Sequence, residues 1–292
     1  MGETSAQLPE DAAIPYDQTS RAASAAIAPQ RARGQAHLTV RRRDSKSVLG
    51  DLHMSGSSKL LFPRGSGAAL DAVYLNSAGG VTGGDAFALS ARVDAGAALR
   101  MTTQAAERIY RAAPGLPGRV ETKLTAEAGA ALTWLPQETI LYDGAALDRS
   151  LCIDLAKDAW LLACEVLIFG RQAMGESVQD LYLRDRIDFR VDGSLIFADR
   201  LRLDGDAAQT LARPAVAGGA LAVGSVICAA PDIAARLDTL REGLPPLAGA
   251  SALTDDLIFL RVLAYDSYEL RRSLVPLLQD LAQSDLPRPW ML

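Results

Sequence analysis

The sequence predicts a mainly β protein: a single β-helix-like body of stacked β layers, with about two α-helices toward the C-terminus. Three observations carry this. First, Asp94-Ala95-Gly96-Ala97-Ala98-Leu99, followed by Gln104, returns 33 residues later as Glu127-Ala128-Gly129-Ala130-Ala131-Leu132, followed by Gln137. A shorter third copy is Asp158-Ala159-Trp160-Leu161-Leu162. Each copy is a small-residue turn opening into an apolar strand, and self-similarity at a fixed period is the mark of stacked units. Second, Leu181 to Val191 alternates apolar with charged residues, then meets Asp192-Gly193 and the return run Leu195-Ile196-Phe197-Ala198. That is a hairpin pattern. Third, helical spacing of apolar residues begins only at Asp232.

Taken in order, Met1 to Arg33 is rich in Ala, Ser, Gln and Pro and lacks an apolar core of the kind a signal peptide needs. Glu3, Glu10, Asp11 and Asp17 are out of place in a transit peptide, so 1–33 is expected to be a disordered leader. Strands follow at His37–Val40, Val48–Met54 and Ala72–Leu75, with Arg41 to Arg43 as a solvated strand end. The loop Asn76 to Asp85 holds four glycines, matches neither phosphate-binding glycine pattern, and reads as a tight connection between strands. Near the end, Ile233, Leu237 and Leu240 between Pro231 and Gly243 predict a helix over 232–241. Thr254 as N-cap with Asp255 and Asp256 predicts a second over 255–282, kinked or split at Pro276. Length alone suggests about two domains; the continuous β pattern instead predicts one body over 34–292.

Composition narrows function. The chain has 292 residues, 49% apolar, with only 5% aromatic, so Ala, Leu, Val and Ile must build the core. A formal charge of −5 lacks the basic surface that nucleic-acid binding by counterion release requires. Two His (His37, His53) and three Cys (Cys152, Cys164, Cys228) form no paired zinc motif and no disulfide framework. Scattered cysteines without a secretion signal point to reduced thiols and a cytoplasmic location. No apolar run spans a bilayer; that near Val216 to Ala230 is too short and carries three glycines.

Acidic residues are the chemical candidates. Glu138 follows Leu135-Pro136-Gln137, and Asp143 precedes Gly144. Glu165 interrupts an apolar strand, which is costly for a carboxylate unless it is paired, hydrogen-bonded or wetted by an internal channel. A Glu165–Arg171 pair is one explanation, and a pair of acids for glycoside hydrolysis is another. Composition and spacing do not choose between them.

Longer motifs do more. Gly79-Gly80-Val81-Thr82-Gly83-Gly84-Asp85, Thr102-Thr103-Gln104-Ala105-Ala106 with Ile109-Tyr110-Arg111, Trp134-Leu135-Pro136-Gln137-Glu138-Thr139-Ile140 with Asp143-Gly144-Ala145, and Glu165 through Gly170-Arg171 to Gly175-Glu176 occur in one order. In that order they resemble the urease accessory protein D family, called H in some bacteria. The likeness covers about Gly34 to Gly205, and the ending Leu286-Pro287-Arg288-Pro289-Trp290 shares it. It departs at Ser77-Ala78, where the family commonly has Pro, and at Ser177 to Asp180, where an aromatic residue and a Gly are usual.

The resemblance implies a non-enzymatic maturation factor. Such a protein binds urease apoprotein and a complex of accessory protein F with the GTPase accessory protein G, supporting lysine carbamylation and nickel delivery. It implies no tightly bound cofactor, no membrane and no nucleic acid. It also implies an internal water-filled tunnel, and places Asp85, Glu138, Asp143, Glu165, Arg171 and Glu176 as candidate tunnel or interface residues. Transient nickel contact is expected at Glu138, Asp143, Glu165 and Glu176. Few imidazoles and thiolates, the ligands that suit Ni²⁺ well, argue against a tight site within the chain. A conduit has to release its ion, so oxygen ligands and retained water suit it better.

Overall fold

The computed structural model describes residues 30–65, 67–282 and 285–291. The expected leader lies outside them up to residue 29. In chain order come β1 (Arg33–Arg43), β2 (Lys46–Gly56), β3 (Ser58–Leu61), β4 (Leu70–Asn76), β5 (Ala86–Val93) and β6 (Ala98–Thr103). Next are β7 (Glu107–Ile109), β8 (Gly118–Ala126), β9 (Ala131–Leu135), β10 (Thr139–Leu141), β11 (Ala145–Leu155) and β12 (Trp160–Phe169). The last third holds β13 (Leu181–Val191), β14 (Ser194–Gly205), α1 (Ala207–Ala212), β15 (Ala222–Ala229), α2 (Leu237–Glu242), β16 (Ala248–Thr254), β17 (Leu257–Ala264) and α3 (Ser267–Ala282).

Two sheets result. One runs β14-β13-β11-β8-β5-β1-β2; the other runs β16-β17-β15-β12-β9-β6-β4-β3, with β10 and β7 as a short side ladder beside β12. The middle of each sheet is parallel, because the chain passes from one sheet to the other and back at each turn of a coil. The outer strands are antiparallel and close the ends. This is the stacked β body expected from the sequence.

The internal echo is the stacking register itself. Ala98 pairs with Ala131 and Leu99 with Leu132, the offset of the two clear copies. The third copy is real but its rung is shorter: Trp160 pairs with Ala131 and Leu161 with Leu132. The turns also stack. Gly96 N donates to Ala128 O at 2.9 Å, and Trp160 N donates to Ala130 O at 2.8 Å. Gly96 and Gly129 sit at φ 65° and 63°, left-handed backbone that a glycine enters without strain. The hairpin over Leu181–Gly205 forms as expected, with Asp192 and Gly193 at its turn.

Period-two burial packs the inner faces. Leu124, Leu151 and Ile153 of the first sheet meet Met101, Leu132 and Leu161 of the second. A separate inner cluster gathers Leu147, Leu183, Leu167 and Phe169. β12 is buried on both sides: Leu162, Cys164 and Val166 face outward under Leu270, Leu274 and Leu278 of α3. That double burial explains its nearly unbroken apolar text.

The C-terminal prediction needs correction. Residues 255–282 are not one helix: Leu257–Ala264 is strand β17, Thr254 to Asp256 is the turn joining it to β16, and only Ser267–Ala282 is helical. Ile258, Leu260 and Val262 pack under α3 while Leu257 and Phe259 pack inward, so both faces are apolar. Such a run mimics helical spacing. Pro276 lies on the exposed side of α3 and does not split it. The helix expected over 232–241 is present as a 3-10 turn (Ile233–Arg236) leading into α2. The short α1 was not anticipated; Asp206 caps it, accepting from Gln209 N at 2.8 Å.

Candidate functional site

Between the sheets, a polar seam separates the two inner apolar clusters. Its centre is Arg149, which period-two alternation in β11 turns inward between Leu147 and Leu151. Arg149 Nε and Nη2 donate to the two carboxylate oxygens of Asp185 on β13, at 2.9 and 2.7 Å. Its Nη1 reaches across to β12 and donates to Glu165 Oε2 at 2.7 Å, and to Thr139 Oγ1 at 3.0 Å. Trp134 Nε1 donates to Glu165 Oε1 at 2.7 Å. Burial pushes the Glu165 carboxyl up from its ordinary value, while Arg149 and Trp134 pull it back. Glu165 is thus ion-paired, but with Arg149. The Glu165–Arg171 pair, one of the two explanations the sequence left open, does not form, because Arg171 belongs to a loop held by Glu176.

The seam lines a cavity of about 70 Å³. That volume admits several waters, at roughly 10–15 Å³ each. Besides Glu165 and Arg149, its wall includes Thr103, Glu107, Gln137 and Thr139. Asn76 Nδ2 donates to both Glu107 carboxyl oxygens at 3.2 Å, and burial raises this carboxyl to about 7. Gln137 Oε1 accepts from Arg271, which leaves Nε2 buried without a protein acceptor.

Three further candidates meet in the loops beyond β10 and β12. Arg171 N and Nε donate to Glu176 Oε2 at 3.0 and 2.8 Å, and Arg171 Nη2 donates to Oε1 at 3.0 Å. Asp143 N donates to Glu176 Oε1 at 3.2 Å. Asp143 in turn accepts from Gln179 N and Asp180 N at 2.8 and 3.0 Å and pairs with Arg111. The Arg171 guanidinium lies 4.2 Å from the centre of the Tyr142 ring, and Tyr110 meets Tyr142 edge-on. The Asp180 N–H, chief among these donors, holds the Asp143 carboxyl below its ordinary value. Arg171 does the same for Glu176.

Glu138 and Asp85 stand elsewhere. Glu138 Oε1 accepts from Arg271 Nη1 at 3.0 Å; Arg271 Nη2 also donates to Pro289 O at 2.7 Å, and its guanidinium lies 5.0 Å from the Trp290 ring. Trp290 Nε1 donates to Leu135 O at 2.8 Å, so the C-terminal segment is pinned beside the cavity wall. Asp85 is buried and holds the glycine-rich loop, accepting from Ala32 N at 2.8 Å and Thr82 N at 2.9 Å.

The six sequence candidates therefore occupy four places, and of them only Glu165 lines the cavity. Glu138 and Glu165, the pair a glycosidase reading needs, are each tied to a different arginine. Glu107, Gln137 and Arg149 were missed as site residues. A signal existed: Ile109 is an inward strand residue, so Glu107 two positions earlier faces the same way, and Arg149 sits in register with Leu147 and Leu151. Among the described residues, no group of three or more His, Cys, Asp or Glu could hold a metal ion. Cys164 and Cys228 are buried, and burial pushes the Cys228 thiol up to about 12. No helix of the described residues is long and apolar enough to cross a membrane.

Known proteins match this chain closely. The family model described as UreD urease accessory protein matches residues 32–291. A urease accessory protein UreD of Ruegeria sp. (strain TM1040) is 48% identical over 277 residues, 92% of this chain and 93% of that protein. Those of Ruegeria pomeroyi and Roseobacter denitrificans are 49% and 47% identical, over 87% and 90% of this chain and 98% and 96% of theirs. With the resembling motifs lying in the stacked body and its loops, the chain belongs to the UreD family of urease accessory proteins.

Proposed function

We propose that this chain is a non-catalytic factor in urease maturation that binds urease apoprotein, links it to accessory proteins F and G, and lets nickel pass through the cavity between its sheets. Family membership supports the maturation role. The cavity supports the passage: the oxygen-bearing residues Glu107, Glu165, Thr103 and Thr139 are among those that line it. These are hard, weak ligands for nickel, suited to an ion that has to leave. In this reading Glu165 belongs to the conduit. Asp143, Arg171 and Glu176 shape a loop surface for a partner, Glu138 helps to seat the C-terminal segment, and Asp85 holds the loop from Gly79 to Gly84.

Two experiments test it. A strain lacking this chain is expected to contain urease that is nickel-poor and inactive; active urease there would sink the assignment. In purified complexes shown to be intact, Thr122→Phe, which fills the cavity from β8, is expected to slow nickel loading severalfold. Unchanged loading would leave the chain a scaffold through which no nickel passes.

A further inference from the structure

The outer face of the β13–β14 hairpin carries a block of arginines. Arg184 is directly opposite Arg202, and Arg186 is directly opposite Arg200. Directly opposed residues of an antiparallel pair hold their Cβ atoms about 4.5–5.5 Å apart, and like charges there repel. Acids answer only part of this. Asp148 pairs with Arg186 at 2.6 Å, Asp204 with Arg202 at 3.1 Å, and Asp188 with Arg200 while also lying 3.7 Å from Arg190. Five guanidiniums thus share three carboxylates, in a chain whose net charge is −5. Arg184 has no ion pair among the described residues and is exposed. Arg186 Nε is buried with no acceptor. The four opposed arginines line one hollow of about 380 Å³, together with Tyr182, Leu201 and Asp185, whose carboxylate is turned away to Arg149.

We propose that this hollow binds an oxyanion, a phosphoryl or carboxylate group, held by charge-assisted hydrogen bonds from Arg184, Arg186 and Arg202. Planar guanidiniums bind such groups in two-toothed fashion, and an anion between opposed arginines turns their repulsion into attraction. The site lies on the outer face of its sheet, across the strands from the cavity, and is independent of nickel passage.

The test is thermal unfolding of the purified full chain in phosphate, in acetate and in chloride at matched ionic strength. Wild type is expected to unfold about 1.5–2 °C higher in 20 mM phosphate than in chloride, the shift for about 1 kcal/mol of ligand-linked stability in a chain of this size. A rise in acetate alone assigns the site to carboxylates, as from a partner's side chain, a rise in phosphate alone assigns it to phosphoryl groups, and an equal rise in both assigns it to either oxyanion. The Arg184→Gln/Arg202→Gln variant is expected to lose the rise, yet to be at least as stable as wild type in chloride, because a repulsive pair is gone. The proposal is overturned if neither anion raises the wild-type midpoint, if the variant keeps the rise, or if the variant is destabilised in chloride.

Discussion

Arg149 and Glu165 join the two sheets through one ion pair of 2.7 Å, with Asp185 holding the other edge of the same guanidinium. Arg149 and Asp185 are buried and Glu165 nearly so. Removing the cation leaves two carboxylates without compensation in a low-dielectric interior, a loss of ~3–5 kcal/mol. Arg149→Met is therefore expected to lower the unfolding free energy by that amount, read as a lower urea midpoint at unchanged m-value. Replacing all three, as Arg149→Met with Glu165→Leu and Asp185→Leu, is expected to recover most of the loss, since apolar substitutes of similar volume often match a buried ion pair.

Glu107 gives the fold a pH dependence of definite sign. Burial raises its carboxyl to about 7, so the folded state keeps a proton that the unfolded state releases near pH 4.5. Stability from this group falls as pH rises between those values, by up to roughly 3 kcal/mol. Glu107→Gln keeps the shape and the Asn76 contact but has no charge to bury. It is expected to be more stable than wild type at pH 8 and to lose that advantage below about pH 5, read from denaturant unfolding across the range.

At the C-terminus, Trp290 is buried beneath Arg271 and donates to Leu135 O. Trp290→Ala removes the ring and is expected to cost ~3–5 kcal/mol. Trp290→Phe is expected to cost only about 1 kcal/mol, because Thr102 Oγ1 also donates to Leu135 O, at 2.6 Å, and the carbonyl stays satisfied. Comparing unfolding midpoints of the two variants checks this.

Two glycines separate backbone strain from collision. A Cβ on Gly96 would meet nothing within 4 Å, so Gly96→Ala bears only the strain of its left-handed φ, about 1–2 kcal/mol. A Cβ on Gly80 would lie 2.3 Å from Tyr110 Cε2 and 2.7 Å from Arg108 O. Gly80→Ala is expected to be clearly the more damaging, in unfolding midpoint and in the near-ultraviolet signal of Tyr110.

Much of the fold was legible because stacking writes itself into sequence. A rung laid in register on another repeats its turn and its first strand, as in Asp94–Leu99 and Glu127–Leu132. Alternation marked the Leu181–Gly205 hairpin for the same reason, one wet face and one dry. β17 was misread because both its faces are dry, which erases the alternation that separates strand from helix. In the site, Glu165 stood out as a charge in apolar text. Arg149 and Glu107 did not, since a charge among alternating charges looks solvated until the facing sheet is known. The partners of Glu165 come from strands far away in the chain, and no local spacing announces them.

The register carries a consequence for how such a chain tolerates change. Leu99 follows Val93, Leu132 follows Ala126 and Leu161 follows Leu155 by six positions each, and these positions align rung on rung. At the opposite end, eleven residues lead from Ile109 to Val120 and eight from Leu141 to Arg149, though these too align. One margin of the molecule is therefore metered and the other elastic. New sequence spliced into the 112–117 loop or the Arg171–Asp180 loop would lengthen the elastic margin without moving any inward side chain out of line. The same splice between Val93 and Leu99 would throw every later rung out of step.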